Sequence, residues 1–173
     1  HGLHHVRIET VAGDLTDHFD PKANVIRLSQ SVYGASTAAA VGVAAHEAGH
    51  AIQHNEGYAP IKLRTALVPV CNLGSMVGPI LILIGLVLNF AGLYYVGLIG
   101  FGAVALFQFV TLPVEFNASR RALASLESSG VLSDEELKGA KKVLTAAALT
   151  YVAALISSIM QVLYYISIFN KRR

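Results

Sequence analysis

His46-Glu47-Ala48-Gly49-His50 brings two imidazoles and a carboxylate into five consecutive residues. On a helix, side chains four apart lie nearly above one another, so His46 and His50 can offer ring nitrogens to one metal ion. Glu47 is turned about 100° from His46 around the helix axis. That sets its carboxylate beside the open position of the metal, where it can take a proton from an activated water. Zinc suits the donor set, because it favours neutral imidazole and carboxylate and brings the pKa of a bound water towards ~7. The chemistry this H-E-x-x-H pattern serves is hydrolysis, with Glu47 as general base.

A catalytic zinc takes a third protein ligand. His54 continues the His46–His50 stripe, but about 12 Å along the axis from His46. Glu56 stands where the metzincin pattern requires its last His, and Gln53 where that pattern requires Gly, which excludes it. His18 lies among turn residues. Glu115 is the best choice, since a carboxylate at the end of a long apolar run is costly unless it has work or a partner.

The elements that must position these residues follow from composition. The chain has 173 residues, 54% of them hydrophobic and 14% charged, with a mean hydropathy of +0.54. Soluble domains are about one-quarter charged. This balance argues against a disordered chain, a nucleic-acid binder and an ordinary soluble globule. A net charge of +2 is too small to steer the chain onto a polyanion. A single cysteine, Cys71, excludes an intrachain disulfide and a cysteine zinc site.

Residues 66–90, 91–114 and 143–170 carry no charge. Each run exceeds the ~20 residues that a membrane-crossing helix needs. Only residues 89–92 separate the first two, so these form a tight transmembrane hairpin. Two spans between His50 and Glu115 return the chain to the side it left, and the three candidate ligands can meet. The expected organisation is a catalytic part over 1–60 with strands and the H-E-x-x-H helix, and a hairpin over 61–114. A polar helical segment over 115–142 carries the third ligand, and the third span with a basic tail fills 143–173.

Residues 6–10 and 25–28 alternate in polarity around turn formers at 20–24, which predicts a short β-hairpin. Ser36 or Thr37 can cap a helix running to about Asn55 and ended by Gly57. A further helix is expected over 114–128. Gly130 stops it, and Ser133 with Glu136 forms a capping box that opens a helix running from about 134 into the third span. The fold class is a mainly α membrane protein: a small α+β zincin-like catalytic part with a β-hairpin, plus three transmembrane helices.

The segments Leu15-Thr16-Asp17-His18-Phe19-Asp20-Pro21, Val25-Ile26-Arg27-Leu28-Ser29 and Ala44-Ala45-His46-Glu47-Ala48-Gly49-His50-Ala51-Ile52-Gln53-His54 resemble the YugP-type neutral zinc metallopeptidases of bacterial membranes. So does Pro113-Val114-Glu115-Phe116-Asn117-Ala118-Ser119-Arg120-Arg121-Ala122-Leu123, and the likeness runs over nearly the whole chain. It extends more distantly to the HtpX-like membrane peptidases. The resemblance implies a gluzincin-type site, with His46, His50 and Glu115 holding one zinc ion and Glu47 as base. It also implies a further span upstream of His1, where the chain starts without Met. Ser119 departs from the HtpX-like pattern, which carries Asp there, and Asn117 is the alternative support for the ligands.

His18, with Asp17 and Asp20 beside it, is a candidate to bind substrate or an oxyanion, against the plainer reading of turn groups capping local backbone. Residues 25–29 are a candidate edge strand for an extended peptide. Arg120 and Arg121 can orient a carboxylate or bind the tetrahedral intermediate, or simply anchor the chain at the membrane interface. Tyr33 and Tyr58 flank the motif helix, and either hydroxyl can donate to an oxyanion.

Lys62, Arg64, Arg120, Arg121, Lys138, Lys141 and Lys142 lie near membrane ends on the motif side, against Lys171, Arg172 and Arg173 on the other. The positive-inside rule then puts the catalytic side in the cytoplasm of a multi-pass bacterial membrane protein. The expected substrate is a polypeptide in or near the bilayer, with no nucleic-acid partner. Two alternatives are an intramembrane site-2-type protease and a non-catalytic membrane scaffold that only stores zinc.

Overall fold

The computed structural model describes residues 2–171; His1, Arg172 and Arg173, the last two used in the orientation argument, lie outside the described residues. The chain divides into two compact units, one of residues 1–61 and 114–149, the other of 62–113 and 150–173.

The first unit opens with three strands, β1 (Arg7–Val11), β2 (His18–Asp20) and β3 (Val25–Ser29), in the order β1-β3-β2. β3 runs parallel to β1, with Arg7 opposite Val25, and antiparallel to β2, with His18 opposite Arg27. The hairpin is therefore β2–β3, whereas the alternation at 6–10 belongs to a parallel neighbour reached by a crossover. Three residues are too few for β2 to show a period of its own, and polar side chains fix it instead. Asp20 Oδ1 accepts the amides of Lys22 and Ala23 at 2.9 and 3.2 Å, and Arg27 Nη1 donates to Oδ2 at 2.8 Å. Arg27 and then the Ala23 amide hold the Asp20 carboxyl down at about 2. Asn24 completes the turn with φ of +51°, a conformation Asn tolerates. Asp17 accepts both the amide and the hydroxyl of the buried Ser29. With a partner on each side, β3 is the central strand, which corrects its reading as a peptide-receiving edge. The free edges are β1 and β2.

α1 (Ala38–Asn55) starts at Thr37, whose hydroxyl accepts the Ala40 amide at 3.2 Å, and stops before Gly57, where φ is +66°. Ala44, Ala48 and Ala51 form one face and pack on Ile26 and Leu28 of β3. Small side chains there let the helix lie close to the sheet. Gly42 and Gly49 face elsewhere, towards Ala140 and Ala118.

α2 (Ala59–Val87), α3 (Ala91–Ser129) and α4 (Asp134–Lys171) are long and apolar enough to cross a membrane. The second span and the segment bearing Glu115 are one unbroken helix, α3, which passes through Pro113. Gly130 ends it with φ of +63°. The capping box opens α4 as expected: Glu136 Oε2 accepts the Ser133 amide at 2.9 Å and its hydroxyl at 2.7 Å.

In the second unit many of the large apolar side chains point outward. Leu73, Met76, Leu83, Ile99 and Phe109 are all exposed, as lipid-facing residues would be. The contact between α2 and α3 is made by glycines, Gly74 on Gly100 and Gly78 on Gly97, while Gly85 meets the backbone of Tyr94. Lipid is as apolar as leucine, so such helix pairs rely on close backbone approach. A Cβ at Gly97 would lie 2.6 Å from the Gly78 carbonyl oxygen and 2.8 Å from the Ile82 nitrogen. Gly97→Ala is expected to cost about 1–3 kcal/mol of stability. A thermal melt in detergent checks this, and an unchanged midpoint would refute the close packing. The buried Tyr94 donates its hydroxyl to the Tyr165 carbonyl, and its ring stacks on Phe169 at 4.6 Å.

A candidate metal centre

His46 and His50 lie one turn apart on α1, with ring centroids 4.7 Å apart and planes at 86°. Glu115 comes from α3. Its Oε2 lies 3.1 Å from His46 Nε2 and 3.6 Å from His50 Nε2. One ligand atom from each of the three lies within 4.8 Å of the others, and Glu115 is 2% exposed.

The opposite ring nitrogens are occupied. His46 Nδ1 is 3.1 Å from the Ser119 hydroxyl, and His50 Nδ1 is 3.0 Å from Gln53 Oε1. With the Nδ1 positions so engaged, both Nε2 atoms face a buried carboxylate. Two imidazole nitrogens and a carboxylate so placed can share one positive charge, a proton or a metal ion. The His50 imidazole reflects this: burial works against its charged form, but the Glu115 carboxylate, Glu47 and the bond to Gln53 outweigh burial and push its pKa up. The donor set fits zinc, which takes nitrogen and oxygen ligands of these types.

Glu47 is the carboxylate that does not join the cluster. It is buried, and burial pushes its carboxyl above the ordinary range even though His50 and His46 pull it down. The backbone amide of Phe19, on β2, donates to it. The edge strand and the candidate base are thus in contact.

Gly49 has a reason that lies outside its own helix. A Cβ there would stand 2.5 Å from the Ala118 carbonyl oxygen and 3.1 Å from its carbon. Ala118 sits between Glu115 and Ser119, so this close approach brings both within reach of His46. Gly49→Ala forces α1 and α3 apart at that point. A misplacement of about 1 Å costs on the order of 10²-fold in rate, and initial rates on a peptide substrate would read the loss. A Gly49→Ala protein at wild-type rate would show the approach to be incidental.

Ser119, not Asn117, stands behind His46. Asn117 serves the other ligand through Gln53, whose Nε2 donates to Asn117 Oδ1 at 2.9 Å and to the Val114 carbonyl at 2.8 Å. Gln53 is fully buried. In the sequence its place served only to exclude a pattern, although a polar residue three positions after His50 can reach back to a ligand.

The other candidates are dispersed. His54 packs its ring on Phe19 at 5.8 Å and is outside the cluster. His18 is exposed on β2, with Nδ1 2.7 Å from the Thr16 carbonyl. Arg121 bonds Glu56 and Asn117, both at 2.7 Å, and Arg120 is exposed. Tyr58 follows the turn that ends α1, its amide donating to the Gln53 carbonyl at 2.9 Å. Tyr33 is exposed after β3.

Comparison with known proteins assigns the class. The model of the family described as "Putative neutral zinc metallopeptidase" matches residues 1–170, and the chain belongs to that family. A particular relative is "Putative membrane protease YugP" of Bacillus subtilis (strain 168), 47% identical over 172 residues, covering 99% of this chain and 76% of the relative. No solved structure matches.

Proposed function

We propose that the chain is a zinc metalloendopeptidase of gluzincin type, in which His46, His50 and Glu115 hold one zinc ion and Glu47 is the general base. The observation that carries this reading is the convergence of two Nε2 atoms and a buried carboxylate, with both Nδ1 atoms engaged behind them. Zinc, when bound, supplies a Lewis acid for the scissile carbonyl and a water acidified to near neutrality. Glu47 removes a proton from the attacking water and delivers it to the leaving amine nitrogen. Its raised pKa suits a base that must also give the proton back.

β2 is the strand beside which an extended substrate lies in this reading, because it is an edge of the sheet and adjoins Glu47 through Phe19. Of the residues considered for substrate or oxyanion binding, exposed His18 on that strand is the best placed. Arg121 is committed to Glu56 and Asn117. Substrates are polypeptides in or beside the bilayer, and the catalytic side faces the cytoplasm of a bacterial cell. The test is hydrolysis of an unfolded protein by the detergent-purified chain, with a chelator abolishing it and zinc restoring it. Tightly bound zinc with no hydrolysis of any unfolded protein would replace this reading with a storage scaffold.

A further inference from the structure

Three polar side chains behind His50 form a chain whose direction is dictated by chemistry. It starts at Arg121, whose guanidinium has only donors. Arg121 Nε donates to Asn117 at 2.7 Å, so the Asn117 atom facing it is the oxygen. The same Oδ1 receives Gln53 at 2.9 Å, and the Val114 carbonyl receives Gln53 at 2.8 Å. Two acceptors on one side require the amino end of Gln53 there. Its oxygen must then face His50 Nδ1, at 3.0 Å, and an amide oxygen can only accept. Nδ1 of His50 therefore carries a proton, and in the neutral imidazole that a metal ion requires, Nε2 is then the nitrogen with the lone pair.

The support of His46 differs. A hydroxyl both donates and accepts, so Ser119 fixes neither ring nitrogen of His46. One ligand is locked and the other adapts. Glu56 at the carboxyl end of α1 anchors the outer end of the chain by its 2.7 Å ion pair with Arg121, while fully buried Gln53 closes the inner end to water.

We propose that Arg121 is a positioning residue: through Asn117, and together with the Val114 carbonyl, it holds Gln53 in the orientation that sets which nitrogen of His50 bears the proton, and so keeps Nε2 open for the metal ion. This inference rests on the zinc reading above. Loss of a partner behind a ligand typically weakens metal binding by about 10–100-fold. Chelator competition with zinc alone, on the detergent-purified full chain, reads the effect without any substrate.

Arg121→Met and Gln53→Met are each expected to weaken zinc binding by about 10–100-fold. The double variant should be no weaker than Gln53→Met, because both act on one chain of bonds. Ser119→Ala combined with Arg121→Met should instead add, because Ser119 acts on the other ligand. Asn117→Asp keeps an oxygen facing both donors and should hold zinc as wild type does, whereas Asn117→Leu should not. These last two variants carry the test if Arg121→Met does not fold. Wild-type affinity in Asn117→Leu, or simple additivity of Arg121→Met with Gln53→Met, overturns the proposal while the metal reading stands. A wild type that binds no zinc overturns both.

Discussion

Replacing Glu47 with Gln is expected to lower peptide hydrolysis by about 10²–10⁴-fold, the usual contribution of a positioned general base, with zinc content unchanged. Gln is nearly isosteric and can still accept the Phe19 amide, so the β2–α1 contact survives. The three candidate ligand residues do not include Glu47. What is lost is the group proposed to take the proton from water and return it to the amine. Elemental analysis alongside initial rates separates the two properties. A Glu47→Gln chain that hydrolyses at the wild-type rate would end the assignment of Glu47 as base, and loss of zinc in that variant would make it a ligand instead.

Glu115→Ala should reduce zinc from about one per chain to a small fraction. A catalytic zinc takes three protein ligands, and this change leaves two imidazoles over a buried hole. It also removes the group that, against the opposing effect of burial, draws His50 towards its charged form. Elemental analysis of both proteins after exhaustive dialysis is sufficient. Retention of zinc in Glu115→Ala would move the third ligand elsewhere. His54 packs against Phe19 with its ring tilted at 59° and His18 stands on β2, so an alternative ligand would require rearrangement of β2 or of the end of α1.

These two variants isolate different parts of one arrangement, and the contrast with Gly49→Ala is instructive. That substitution touches no chemical group. Its effect arises from the 2.5 Å that separates a new Cβ from the Ala118 carbonyl, which is the distance budget of the crossing between α1 and α3.

Local periodicity and composition made much of this protein legible. The i to i+4 spacing of His46 and His50 stacks two imidazoles on any helix, wherever that helix packs. Uncharged runs longer than a bilayer needs declare α2, α3 and the later part of α4 without reference to neighbours. The Ser133–Glu136 capping box and the glycine stops at Gly57 and Gly130 are likewise properties of a few adjacent residues. Even the meeting of Glu115 with the histidines followed from counting spans.

What only the tertiary structure decided depends on contacts between residues far apart in the chain. β3 takes His18–Asp20 as its hairpin partner because Asp20 and Arg27 bond across the turn, which no alternation pattern records. Ser119 rather than Asn117 reaches His46 because α3 runs unbroken through Pro113 and therefore sets which of its residues face α1. Gly49 is required by a backbone on another helix, and Gln53 by hydrogen bonds to residues some sixty positions away. A helix repeat specifies which side chains share a face; which atoms that face meets is set by how closely, and at what register, two helices cross.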